Sequence, residues 1–241
     1  MKIQLWKKLG LNLIIATFLF GGLIVILLLL NKTHFFSKDL LNFSDLAFCI
    51  GIAASTTGVG YTLTIKDPNN FTGFYLGIVM SILLSIQFYI KGFYNLTILY
   101  TFIFIPFQIA SIVSWKKQKD ILLINPQYLS LTYKCLTFLV FLLLIFSDYL
   151  LSTYIINKDN IWENSIEKII NGIVISSSII ANFWLIFRKT DAWYYWLVYS
   201  IIGIIQGIVV LKNPFNTILF LFFVIINSIA LYNWIKNHKN A

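Results

Sequence analysis

Seven stretches of this chain, residues 9–31, 46–65, 68–90, 92–115, 169–187, 192–211 and 213–235, contain no Asp, Glu, Lys or Arg. Each is close to the roughly 20 apolar residues that carry a helix across hydrocarbon. An eighth apolar region, 128–156, is interrupted only by Lys134 and Asp148 near its ends, where such side chains reach the interface. Eight helices consume nearly all of the 241 residues and leave no room for a soluble domain. Composition agrees: 59% of residues are hydrophobic and 11% charged, with a mean hydropathy of +0.83, against roughly 25% charge in a soluble domain. Soluble enzymes, nucleic-acid-binding modules and secreted disulfide scaffolds are poor readings on that ground. The net charge of +9 then reads as basic loops flanking membrane spans, and Cys49 and Cys135 read as small core residues.

Residues 9–31 lack a small-residue cleavage site, because Leu30 leads into Asn31-Lys32-Thr33-His34. They are read as a span, not a cleaved leader. Asp67-Pro68-Asn69-Asn70, Lys91-Gly92 and Lys212-Asn213-Pro214 are turn signals, and the longer connections fall at 32–44, 116–127 and 157–168. Pro106 sits inside a span and is expected to kink or open it. With both termini in the cytoplasm, twelve basic residues fall inside and six outside, the bias the positive-inside rule favours. Most acids, Asp39, Asp45, Asp148, Asp159, Glu163 and Glu167, fall outside.

The chain repeats itself at an offset of 119. Between 72–117 and 191–236 nine of 46 positions are identical, among them Tyr75/Tyr194, Ser81/Ser200, Gln87/Gln206, Trp115/Trp234 and Lys117/Lys236. Gln108 falls opposite Asn227. Each matched block holds two spans and follows one more. The expected fold is an all-α polytopic membrane protein of eight spans. It is a 3+1+3 bundle of parallel repeats, SWEET-like, preceded by an N-terminal helix. Its divisions are 1–43, 44–127, 128–157 and 158–241. Substrates of such folds bind near mid-membrane between the repeats.

The polar groups inside the spans are amides, hydroxyls and aromatics. Gln108 and Asn227 lie seven residues before Trp115 and Trp234, so each amide shares a helix face with its Trp. Tyr100, Phe104 and Gln108 form a stripe, Asn182 follows Ser178 by four, and Tyr199 shares a face with Gln206. Amides often join membrane helices, and Trp115 and Trp234, beside lysines, fit an interfacial belt. Trp193 and Trp196 with Asn182, Gln108 and Asn227 read instead as a binding site. No span carries a central ionisable residue, which argues against proton coupling, voltage sensing and intramembrane hydrolysis. His34 and His238 read as solvated. No nucleotide-binding loop is present. Aromatic faces and amides suit a small, flat, hydroxylated ring without phosphate, held in part by cation–π attraction if it is cationic.

Ala181-Asn182, Arg188-Lys189 and Trp193-x-x-Trp196 resemble the Asn span, basic turn and Trp-x-x-Trp signature of the PnuC family of bacterial vitamin-precursor transporters. Tyr100 through Pro106-x-Gln108 to Trp115-Lys116-Lys117 is similar to that family's third-helix pattern. The resemblance covers most of 46–236 and is densest in 181–234. It implies facilitated diffusion of a non-phosphorylated precursor, nicotinamide riboside first, trapped afterwards by a cytoplasmic kinase. It also implies a multi-pass protein of the bacterial cell membrane and a homotrimer, with no enzymatic activity, cofactor, metal or nucleic-acid partner. Trp193 and Trp196 would wall the ring. Asn182, Gln87, Gln108 and Asn227 would bind its amide and ribose hydroxyls. Tyr100 would line the path, and Tyr199 belongs to the same set. Alternatives are thiamine, riboflavin or a deoxynucleoside as cargo, a substrate-capture subunit of an ATP-driven importer, or a structural protein without cargo.

Overall fold

The computed structural model describes residues 2–32, 46–92, 94–117, 127–154, 165–209 and 214–239. These residues form eight helices: α1 (Lys2–Lys32), α2 (Leu46–Ile65), α3 (Gly73–Ile90), α4 (Tyr94–Lys117), α5 (Leu131–Tyr154), α6 (Ser165–Ile186), α7 (Ala192–Val209) and α8 (Pro214–Lys239). No strand occurs among them; one parallel bridge joins Gln127 to Lys189. Seven helices, α2 to α8, are long and apolar enough to cross a membrane. The connections expected at 32–44, 116–127 and 157–168 lie mostly outside the described residues, as do His34, Asp39, Asp45, Asp159 and Glu163; residues 116–117 instead continue α4 and 165–168 begin α6. The turn at 210–213 with Lys212 and Asn213 also lies outside the described residues, as does the His238 side chain.

The chain divides into two compact units, residues 1–65 with 70–109, and residues 66–69 with 110–241. In the first unit, α2 buries a face of small residues that includes Gly51, Ala54, Ser55 and Gly58. Small residues let membrane helices approach closely, since lipid offers no hydrophobic drive for association. Asn12 of α1 donates to the Leu63 carbonyl at 3.3 Å and to Thr64 Oγ1 at 3.1 Å, which seats α1 on α2. Thr72 begins α3 by donating its backbone N–H to Asn70 Oδ1 at 3.1 Å. Gly92, at φ 77°, ends that helix by donating to the Tyr89 carbonyl. Glycine is the residue that adopts such a turn without strain.

The opening expected at Pro106 takes the form of a π-helical turn over Leu99–Phe104. Proline has no N–H to give the carbonyl four residues back, and its ring crowds that turn, so the helix widens ahead of it.

In the second unit, α6 is the most enclosed span and α5 the least; 61% of the α6 window is buried against 17% for α5. The hydroxyls of Ser177, Ser178 and Ser200 donate to backbone carbonyls of their own helices, which satisfies them without water. Asp148 departs from expectation. It does not reach for the interface but lies buried, accepting from Asn171 Nδ2 at 3.2 Å, and Asn171 Oδ1 accepts in turn from Gln206 at 3.1 Å. An acid near a span end is drawn inward when the neighbouring helices offer amides.

α7 and α8 meet closely at Gly207, where an added Cβ would lie 2.6 Å from Thr217 Oγ1 and 3.0 Å from the Thr217 backbone nitrogen. Gly207→Val is therefore expected to cost about 1–3 kcal/mol. In detergent this reads as a melting temperature lower by roughly 2–10 °C. Gly10→Ala, with nothing within 4 Å of its added methyl, is expected to leave it unchanged.

Candidate functional site

The ends of α4 and α6 complete each other. The last carbonyls of a helix have no partner within it. Here Trp115 Nε1 donates to the Leu185 carbonyl and Ser114 Oγ to the Ile186 carbonyl, both at 2.8 Å. In return, Arg188 Nη2 donates to the Trp115 carbonyl at 3.1 Å, and its guanidinium lies 4.5 Å from the centroid of the Trp115 ring. Arg188 is buried and takes a left-handed backbone, φ 52°. Burial lowers its pKa to about 10, so it stays charged at neutral pH. The Arg188–Thr190 backbone is held by Gln127, which donates to the Arg188 carbonyl and accepts from Thr190 N–H. Asp191 fixes the approach to α5 by accepting from Leu129 N–H at 2.7 Å.

This frame presents three tryptophans. Trp115, Trp193 and Trp234 are completely enclosed. The Trp234 ring lies 5.9 Å from Trp115 and 5.6 Å from Trp193, edge to face with the latter. The belt reading of Trp115 and Trp234 is thus corrected: the rings face inward because Trp115 bonds a neighbouring helix end and Trp234 packs on it. One turn beyond Trp193, Trp196 packs edge to face on Tyr199 at 5.2 Å. Asn227 of α8 donates to the Trp196 carbonyl at 3.2 Å and to Ser200 Oγ at 2.8 Å. Asn182 of α6 is buried and donates to the Ser178 carbonyl at 2.9 Å.

Several polar atoms here have no partner among the described residues: the indole N–H groups of Trp193, Trp196 and Trp234, Asn227 Oδ1, Thr190 Oγ1, and Nε and Nη1 of Arg188. A buried donor left unmade costs about 1–3 kcal/mol, and such atoms are few in folded proteins. Donors predominate among these atoms, so a ligand rich in acceptors would match them.

In the first unit, Gln108 Nε2 donates to Tyr61 Oη at 3.5 Å. Its amide fits against the bare backbone of Gly77, where a Cβ would lie 2.6 Å from Gln108 Oε1. Tyr100 is buried in the π-helical turn, stacked on Phe88 at 5.6 Å and edge to face with Phe104 at 4.7 Å. Gln87 lies against Gly51, as Gln206 meets Asn171 in the second unit. Both glutamines thus join the first helix of a matched block to the span before it. The structure brings Trp193, Trp196, Tyr199 and Asn227 together within one unit, and Gln108 with Tyr61 in the other. The reading of the sequence missed Arg188 as a structural centre and the Asp148–Asn171–Gln206 chain. For Arg188 the signal available was its position as the chain's only arginine, in a turn between two spans.

Residues 48–236 match a family model described as Nicotinamide mononucleotide transporter. The fold is similar to that in a structure titled "Crystal structure of the Vitamin B3 transporter PnuC". The TM-score is 0.69 at 15% identity, covering 98% of this chain and 97% of that one. No curated protein sequence matches the chain.

Removing the guanidinium in Arg188→Gln leaves the Trp115 carbonyl uncapped and the indole unstacked, and is expected to cost about 1.5–3 kcal/mol. Arg188→Lys keeps the charge but loses the planar fork, so its melting temperature in detergent should fall between those of the wild type and Arg188→Gln.

Proposed function

We propose that this chain, which belongs to the nicotinamide mononucleotide transporter family, carries a non-phosphorylated pyridine nucleoside, nicotinamide riboside first, across the bacterial cell membrane by facilitated diffusion. The observation that carries the reading is the set of unpaired donors on Trp193, Trp196 and Trp234 beside the unpaired Asn227 Oδ1. A nicotinamide carbonyl and ribose oxygens accept from indole N–H groups, and the nicotinamide amide donates to Asn227 Oδ1. The pyridinium charge suits the faces of the same rings. Trp193, Trp196, Tyr199, Asn182 and Asn227 are the proposed contacts in the second unit. Gln108 and Tyr100 are those proposed in the first, and Gln87 is read as joining α2 to α3.

Further parts of the reading rest on the sequence. α1, at 31 residues, is about 46 Å long at 1.5 Å per residue and serves as the eighth span. The two triplets run parallel, with α5 linking them. Both termini lie in the cytoplasm by the bias of basic residues, while trapping of the cargo by a cytoplasmic kinase and a homotrimeric assembly rest on the family resemblance.

Purified protein in liposomes, without ATP or an imposed ion gradient, should equilibrate labelled nicotinamide riboside. Uptake only with an added ATPase module overturns the uniport. In a binding screen, nicotinamide riboside should outcompete thiamine, riboflavin, deoxynucleosides and nicotinamide mononucleotide; another order reassigns the cargo. Trp196→Phe keeps a ring and removes the N–H. Its affinity for the riboside should fall by about tenfold, the worth of one hydrogen bond, at unchanged melting temperature. Trp196→Ala and Asn182→Ala should weaken binding further, and unchanged affinity in both removes the proposed site.

A further inference from the structure

A trough on the outer face of the second unit lies apart from the tryptophan cluster. It encloses about 460 Å³ between α5 and α7, with Lys134, Asp191, Phe138, Phe141, Tyr194 and Tyr195 among its lining. Lys134 and Asp191 stand at the start of their helices, with Lys134 Nζ 3.4 Å from Asp191 Oδ1. From these charges the walls continue to Phe141 on α5 and Val198 on α7. Seven residues of helix on each side amount to about 10 Å of depth. The floor is the edge-to-face pair of Phe141 and Tyr195, 5.9 Å apart. Phe138, Tyr194 and Val198 open outward, 57%, 45% and 37% exposed, and Phe138 stands on α5, the span with the least protein cover among those described. The trough is therefore charged at the end where both helices start and apolar for about 10 Å beyond it.

We propose that this trough is a binding site for a membrane phospholipid with a primary-amine, zwitterionic headgroup, such as phosphatidylethanolamine. The charge order of the rim selects the class. The Lys134 ammonium, 47% exposed in its side chain, receives the phosphate. The Asp191 carboxylate, anchored by Leu129 N–H, receives the amine. One acyl chain lies along Phe138, Phe141 and Val198. An anionic headgroup meets Asp191 with no cation of its own to offer. A choline headgroup brings no N–H for the carboxylate to accept. The site does not depend on which vitamin or nucleoside is carried.

The test uses the full chain, delipidated in detergent and supplied with equal amounts of phosphatidylethanolamine, phosphatidylglycerol and phosphatidylcholine, with retained lipid read by native mass spectrometry. Phosphatidylethanolamine should be retained about tenfold over either competitor, the scale of one charge-assisted hydrogen bond. Lys134→Met should reduce retention of all three. Asp191→Asn keeps an acceptor for Leu129 N–H and should abolish the preference for the amine. Val198→Trp fills the trough away from both charges and should displace the lipid at unchanged melting temperature. Equal retention of the three lipids overturns the proposal, as does retention unaffected by Val198→Trp. Loss of oligomer mass in Val198→Trp, with no lipid retained by the wild type, also overturns it and assigns the face to a second copy of the chain.

Discussion

Backbone carbonyls at the ends of helices must find donors, and this requirement organises the second unit. Lipid supplies none, and water reaches the helix ends only where they are open to it. Trp115 and Ser114 at the end of α4 serve the last carbonyls of α6. Arg188, just past the end of α6, serves α4. The exchange fastens the two helix ends to each other within the second unit, and the consequences spread. Trp115 is turned inward, Trp234 and Trp193 pack on it in sequence, and α7 begins where Gln127 and Asp191 hold the intervening turn. A cluster of indoles with unpaired N–H groups is what this anchoring leaves in place.

The two units solve one packing problem with different side chains. In each, an amide on the last helix of the repeat meets the middle helix at equivalent positions. In the first unit Gln108 approaches Gly77, and in the second Asn227 approaches Trp196. The longer amide faces the residue without a side chain, and the shorter one faces the tryptophan backbone. Each pair keeps the close approach, and only the second carries a large ring. At these positions, 119 residues apart, the two units share a close approach of amide to helix, and the second adds an indole.

The spans were legible because charge is so costly in hydrocarbon that its absence marks helix after helix, and the family signature lay in side chains whose chemistry is rare inside membranes. Pro106 announced its own disturbance. What the sequence could not supply was direction around each helix. Nearly every face of these spans is apolar, so periodicity does not distinguish a lipid-facing ring from an enclosed one. Trp115 and Trp234 therefore read as interfacial, although the structure encloses both. Asp148 read as a residue reaching outward because the amide that claims it, Asn171, is 23 positions away. In the site, Trp193, Trp196 and Asn227 carried a legible pattern. The unpaired atoms among them became visible only once their neighbours were known.

Arg188 holds a left-handed backbone that glycine would adopt without cost. A chain selected for a relaxed turn would place glycine there, and a chain selected for a fastened helix end keeps the guanidinium. The two demands pull one position in opposite directions. Efforts to harden the protein by substituting the conformationally easiest residue would therefore loosen the joint between α4 and α6.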